Sequence, residues 1–333
     1  MLEQARDPHF GTAWMRDSNG ARALRVRDWS SEPSPRGLSF FAPDFGLGQA
    51  RPWLTGEALE WAPVEAALPR LVEYVEPSSA SFARLHEEIL TRIARGEFSK
   101  VVPVVSEKLE FAEALHVEMF ARLWREDFPN QFAYGFEFQN EGLCGVTPEL
   151  LFSVRGGELT TMALAGTGPA GGPSLLEDSK ERLEHQLVID HIVSELRPLG
   201  AAETGATIER SFGLLKHLYT PIHLRLKHPV PFMELVVKLH PTAALGGWPR
   251  LAAVEWLEKQ EFHVARQRFG APFGFNSDEE MRCVVAIRGL QWQGTRAILA
   301  AGCGVVQESQ ALREWNELAL KRRAVRGFLG IEI

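Results

Sequence analysis

Residues 149–164 read ELLFSVRGGELTTMAL, and this stretch decides the fold class. Two strand-like apolar runs flank Gly156–Gly157, a pair that tolerates the positive φ angles of a tight hairpin turn. A hairpin makes its strands antiparallel neighbours, and the same device recurs along the chain. MRCVVAIRGLQW (281–292) and TRAILAAGCGVV (295–306) form a second hairpin around Gly294. QFAYGFEFQ (131–139) alternates apolar and polar residues as a half-buried strand does. KVVPVV (100–105) reads as a buried strand in which Pro103 requires an edge or a bulge. GLSFFAPDF (37–45) reads as a short strand between two loops, RDWSSEPSPRG (27–37) and GQARPWLTG (48–56).

Helical periodicity appears between these strands. Phe82, Leu85, Ile89 and Ile93 share a stripe over residues 79–95, with Gly96 as the stop. Further helices are expected over 113–125, over 178–197 before Pro198 and Gly200, and over 311–326 before Gly327. Sheets made of hairpins with helices inserted between them give an α+β fold, not an alternating βαβ one.

Composition bounds the function. The chain has 333 residues, 45% of them hydrophobic and 24% charged, which is ordinary for a globular protein and excludes wholesale disorder. A chain of this length buries roughly three quarters of its unfolded surface. The net charge is −7 and no basic stripe stands out, so no nucleic-acid partner is expected. No run approaches 18 apolar residues and the N-terminus has no apolar signal region, so the expected location is the cytoplasm, without a membrane span. Cys144, Cys283 and Cys303 lie in apolar surroundings without a CxxC pair and read as buried free thiols. Neither a GxGxxG turn opening a helix nor a Walker-type loop is present.

Two helices carry acidic pairs. Glu181 and Glu184 share a face of SKERLEHQLVIDHIV (179–193), and Glu314, Glu317 and Lys321 share a face of LREWNELALKRR (312–323). Leu183, Leu187 and Ile192 offer the first helix an apolar surface, and Leu312, Trp315 and Leu318 the second. Charge pattern alone reads these acids as two solvated faces with local Glu–Lys pairs. The other reading brings the two faces together around Mg²⁺, which prefers hard oxygen ligands. Spacing does not choose between them.

The ordered segments GEFSKVV (96–102), GVTPELLFSV (145–154), ALAGT (163–167), SKERLEHQLVIDHI (179–192), KHLYT (216–220), LHPTAALGGWPR (239–250), VAIR (285–288), AGCGVV (301–306) and EWNELALK (314–321) resemble those of the chorismate-utilising enzymes, above all the isochorismate synthase branch. The resemblance covers about residues 79–333. It implies one large domain over 1–333, with 1–78 a short N-terminal part and 79–333 the catalytic core. The implied architecture is the anthranilate synthase component I-like one, two packed, mainly antiparallel sheets with helices outside.

It also implies roles. Lys100 corresponds to the general base that activates water, and Glu149 to the general acid that protonates the departing C4 hydroxyl. Glu184 and Glu317 correspond to primary Mg²⁺ ligands, and Glu181 and Glu314 to acids that reach the metal through water. Gly166, Thr167 and Arg288 correspond to contacts to a substrate carboxylate, and Gly302 and Gly304 to glycines lining the site. His217 corresponds to a histidine near the ring, with an orienting role equally open, and Ala244 to the small residue of isochorismate synthases. Lys180 and Lys321 fall on family positions and read as neutralising the acids. The expected activity is that of an isomerase converting chorismate to isochorismate with Mg²⁺, as a monomer without a glutaminase partner. Menaquinone, siderophore and salicylate synthesis all stay open as the pathway. Salicylate synthase, or a non-catalytic chorismate-binding protein, is the alternative.

The chain departs from the family at RQRFGAPFG (266–274). Gln267 and Ala271 replace glycines, and Phe269 replaces a tyrosine whose hydroxyl contacts a substrate carboxylate in relatives. Losing such a hydrogen bond costs on the order of 1.5–3 kcal/mol. Gly168 stands where arginine is common, and Val105 also replaces an arginine. No tryptophan-binding motif of the anthranilate synthase kind is apparent.

Overall fold

The computed structural model describes residues 9–18 and 20–333. The hairpin at Gly156–Gly157 forms as expected. Both glycines have positive φ, 58° and 80°, and Arg155 pairs with Glu158 across the turn. Its second strand, Glu158–Pro169, then pairs along its whole length with Leu215–Arg225.

From this pair the strands continue as one antiparallel ribbon. On one side, Ala202–Thr204 and Ile208–Phe212 close the edge on Leu215–Arg225. On the other follow Leu150–Arg155, Glu280–Val285, Pro272–Asn276, Ser39–Phe41, Trp53–Ala58 and Gly20–Ser30. Gly11–Asp17, Phe132–Phe138, Glu141–Thr147, Gly289–Gln293, Arg296–Gly302, Val104–Phe111 and Leu71–Val75 complete it. Among the described residues this makes seventeen strands in one hydrogen-bonded network, with a separate pair, Lys100–Val101 and Gly247–Trp248.

The two expected layers are the two halves of this ribbon. Met15, Leu24, Tyr134 and Phe136 from one half pack against Leu164, Phe273 and Val284 from the other. Each such buried side chain contributes ~1.5–3 kcal/mol of transfer free energy. The helices lie on the outside. They are α1 (Ser79–Ala94), α2 (Ala121–Arg125), α3 (Ser179–Leu196), α4 (Phe232–Leu239), α5 (Arg250–Leu257), α6 (Glu261–Ala265) and α7 (Ala311–Leu329). Val188, Ile192 and Leu196 of α3 join Leu235 and Leu239 of α4 over Ala163 and Ile222. Phe82 and Ile89 of α1 meet Trp256 of α5 and Leu318 of α7. All three cysteines are buried and free. Among the described residues, no helix is long and apolar enough to cross a membrane.

Several boundaries differ from the sequence reading. The stretches read as loops at 27–37 and 48–56 contain strand up to Ser30 and from Trp53, because Trp29 and Trp53 sit in the ladder. The helix expected over 113–125 is a 3₁₀ turn, Val117–Phe120, followed by the short α2. The Glu137 carboxylate accepts from the Val117 N–H at 2.6 Å and contacts His116 at 2.9 Å, which sets the start at 117. KVVPVV breaks at Pro103, so Lys100–Val101 and Val104–Phe111 pair with different strands. MRCVVAIRGLQW is two strands separated by residues 286–288. Helix α7 passes Gly327 to Leu329 because Val325 and Leu329 are buried, and it ends on Gly330 at φ 72°.

Helix α7 is fixed by a buried ion cluster. The Glu107 carboxylate, 1% exposed, takes Arg322 Nε at 2.9 Å and also Arg326. Removing one member leaves a buried charge uncompensated, which costs about 3–5 kcal/mol. Glu107→Ala should therefore lower the urea unfolding free energy by about that much. A loss below about 1 kcal/mol would show that solvent reaches the arginines and that the cluster does not anchor α7.

Candidate active site

Helices α3 and α7 face each other with their acids inward. Asp178 caps α3, its carboxylate accepting from the Lys180 and Glu181 amides at 3.0 and 3.2 Å. That cap starts the helix so that Glu181, Glu184 and Val188 share the buried face. On α7 the buried residues are Glu314, Leu318, Arg322, Val325 and Leu329. The solvated reading of the acids is thus overturned: Glu181 is 0%, Glu314 1% and Glu184 6% exposed. Leu183 and Leu312, read as apolar contact surface, are exposed instead.

Basic side chains neutralise the acids. Lys180 Nζ lies 3.3 Å from Glu181, 3.0 Å from Glu184 and 3.1 Å from Glu314, so one ammonium bridges both helices. Arg313 pairs with Glu181 at 2.9 Å, and Lys321 with Glu317 at 2.6 Å. Lys100 Nζ lies 2.9 Å from Glu184 Oε1, without the alignment of a hydrogen bond. The backbone N–H of Thr167 donates to Glu181 at 2.8 Å. Arg313 is a member that the sequence reading did not single out. It pairs with Asp178 and Glu181, far away in sequence, which no local pattern could show.

Beside this cluster opens a cavity of about 640 Å³, mouth included. Among its lining residues are Glu149, Gly166, Thr167, Glu184, His217, Ala244, Phe269, Arg288, Gly302, Gly304, Glu317 and Lys321. Three sequence candidates, Lys100, Glu181 and Glu314, do not line it. Lys100, 0% exposed, passes behind Gly304, and a Cβ at Gly304 would lie 1.9 Å from Glu184 Oε1 and 2.7 Å from Lys100 Cε. Glycine there is what leaves room for both side chains behind the cavity wall.

The opposite wall holds a hydrogen-bond relay. Arg288 donates to His217 Nε2 at 2.8 Å, so the imidazole proton is on Nδ1, which faces the Gly166 carbonyl at 3.1 Å and Thr167 Oγ1 at 3.0 Å. Burial, with help from Arg288, pushes the imidazole well below its ordinary pKa. His217 is therefore a neutral acceptor that orients Arg288. Arg288 has φ 55°, a left-handed conformation costly for a residue that carries a Cβ and held by its surroundings. Burial lowers its pKa to about 10, so it stays cationic at neutral pH.

Glu149 holds a buried carboxyl on the cavity wall. Burial raises its carboxyl to about 8, against the pull of Lys100, Lys321 and Arg288, so it is mostly protonated at pH 7. Glu184 goes the other way: burial opposes its charge, but Lys100 and Lys180 outweigh that and bring it to about 2. Burial and neighbouring carboxylates raise Glu181 and Glu314 to about 7.

The departures acquire physical meaning. Gln267, in place of a glycine, adopts φ 48°, so the backbone keeps the glycine conformation at some cost. Phe269 lines the cavity and packs on Val104 and Ala300 without any hydroxyl. A side chain at Gly168 would meet the Leu175 side-chain end at 3.0 Å, so a larger residue there requires Leu175 to shift. Nothing in the structure explains Val105.

Among the described residues, no three His, Cys, Asp or Glu side chains converge on one metal position. The donor set nevertheless suits a hard divalent cation. Glu184 and Glu317 both line the cavity, and such a cation commonly takes one or two carboxylates, with water and substrate completing its shell. The buried oxygens of Glu314 have no aligned hydrogen bond, although Lys180 Nζ lies 3.1 Å from Oε1.

Residues 57–330 match the family model described as "Chorismate binding enzyme". The chain belongs to the chorismate-binding enzyme family. It is 31% identical over 251 residues to the salicylate biosynthesis isochorismate synthase of Pseudomonas aeruginosa, covering 72% of this chain and 52% of that protein. It is 29% identical over 263 residues to the isochorismate synthase MenF of Bacillus subtilis, covering 74% and 55%. The chain thus spans about half the length of these curated relatives. The fold matches the solved structure of MenF from Escherichia coli with a TM-score of 0.81 at 20% identity, covering 98% of this chain and 90% of that one. Anthranilate synthase component I from Streptococcus pneumoniae shares the fold at a TM-score of 0.72 and 18% identity, covering 98% and 93%.

The raised carboxyl of Glu149 predicts a pH dependence of stability. A carboxyl with a pKa near 4.5 when unfolded and about 8 when folded binds more protons in the folded state between those values. Stability should fall as pH rises through that window, by on the order of 1.4 kcal/mol per pKa unit. Glu149→Gln should flatten the decline in urea unfolding between pH 5 and pH 8. Parallel curves for the two proteins would contradict the assignment.

Proposed function

We propose that this chain is an isochorismate synthase, converting chorismate to isochorismate with Mg²⁺. The observation that carries the proposal is the cavity itself. One wall presents a buried, protonated carboxyl at Glu149 and an oriented cation at Arg288, and the other presents the charged faces of α3 and α7. Family membership and the two isochorismate synthases at about 30% identity support the same reading.

In this reading Arg288, held by His217, takes a substrate carboxylate, and Gly166–Thr167 lie alongside. A bidentate guanidinium fixes both position and plane of the carboxylate. Lys100 accepts a proton from water as its oxygen bonds to C2 of the ring. The ring double bonds shift toward C4 and the C4–O bond breaks. Glu149 gives its proton to the leaving hydroxyl, which departs as water. Glu184 and Glu317 would hold Mg²⁺, which supplies positive charge to a substrate carboxylate and takes up the charge of Glu184 that otherwise faces Lys100.

Purified protein incubated with chorismate and Mg²⁺ should give isochorismate, and EDTA should abolish it. Lys100→Ala and Glu149→Gln should each lower kcat by about 10²- to 10⁴-fold. Salicylate and pyruvate as products would move the chain to salicylate synthase. Chorismate binding without turnover, unaffected by both substitutions, would make it a binding protein.

A further inference from the structure

We propose that Lys180 is a built-in counter-cation of the acidic cluster, and that a divalent cation binds by displacing it from Glu184. This rests on the magnesium reading above and adds a competitor to it.

Each acid of the cluster already has a cation against it, and Arg313 is shared with Asp178 at 2.8 Å. The acids Glu181, Glu184, Glu314 and Glu317 face Lys100, Lys180, Arg313 and Lys321. No free anionic pair waits for a metal, so a divalent cation must take carboxylate charge from a cation of the chain. Lys180 is the one placed to yield it. Its ammonium lies 3.0 Å from Glu184 Oε2 and is only 5% exposed. A second cation on the same carboxylate would meet it at short range, where like charges repel strongly.

The displaced ammonium also has a destination. Glu314 Oε1 is 3.1 Å away, and neither oxygen of Glu314 has an aligned hydrogen bond. Glu181 needs Lys180 least, since Arg313 and the Thr167 amide also hold it, at 2.9 and 2.8 Å. Lys180 can thus move toward α7 and leave Glu184 without stranding an acid. Lys321 is less free to move, because it also donates to the Gly302 carbonyl at 2.8 Å.

The test is Mg²⁺ titration of the metal-free, full-length protein by calorimetry, with thermal unfolding alongside. Lys180→Met should bind Mg²⁺ tighter than the unsubstituted protein by roughly tenfold or more, and Lys180→Arg, which keeps the charge, should bind about as the unsubstituted protein does. Without metal, Lys180→Met should melt lower, and saturating Mg²⁺ should raise its melting temperature more than it raises that of the unsubstituted protein. If the unsubstituted protein binds Mg²⁺ and Lys180→Met binds equally or more weakly, the competition is wrong while the magnesium reading stands. If none of the three binds Mg²⁺, both fall. Should Lys180→Met be unfolded without metal, recovery of its helical circular dichroism on adding Mg²⁺ supports the proposal, and no recovery overturns it.

Discussion

The buried carboxylates between α3 and α7 set the terms for the rest of the molecule. Burying an acid is expensive unless a cation or hydrogen bond accompanies it. Glu181, Glu184 and Glu314 are buried, and Lys180 touches all three. Both helices must therefore be placed accurately. Helix α3 is placed by Val188, Ile192 and Leu196 on the ribbon, and α7 by Leu318 and by Arg322 on Glu107. Ordinary hydrophobic packing and one remote ion cluster hold the geometry in which acids can face one another.

The ribbon supplies the other wall, where each polar group is committed to a task. His217 spends both ring nitrogens on Arg288 and on the Gly166–Thr167 turn. Arg288 sits in a left-handed conformation between two strands, which turns its side chain out of the sheet pattern. Glu149 immediately precedes the strand Leu150–Arg155, buried enough to keep its proton. An anionic substrate would meet a cation, a proton donor and a set of paired acids around one cavity.

Local chemistry in the sequence predicted local structure well. Gly156–Gly157 needs no tertiary information to turn, and α3 carries its cap at Asp178. The errors share a cause in long-range contacts. Gly327 does not end α7 because Val325 and Leu329 find a core beyond it. Glu137, distant in sequence, trims the helix expected over 113–125. The facing of the acids was illegible from periodicity, since Leu183 and Leu312 suggested the wrong side and only a polar cavity makes acids the inward face. The family resemblance, not spacing, brought Glu149, His217 and Arg288 together on the page. It did not foresee that Lys100 would lie buried behind Gly304, or that Arg313 would hold Glu181.

The central claim is that this cavity adds water to one ring carbon of chorismate while expelling the hydroxyl from another. Running the reaction in ¹⁸O-labelled water and weighing the isochorismate by mass spectrometry tests it most directly. The account predicts one labelled oxygen in the product, carried at C2. Isochorismate formed without label would mean that the original hydroxyl is transferred within the molecule. That result would contradict the roles given to Lys100 and Glu149.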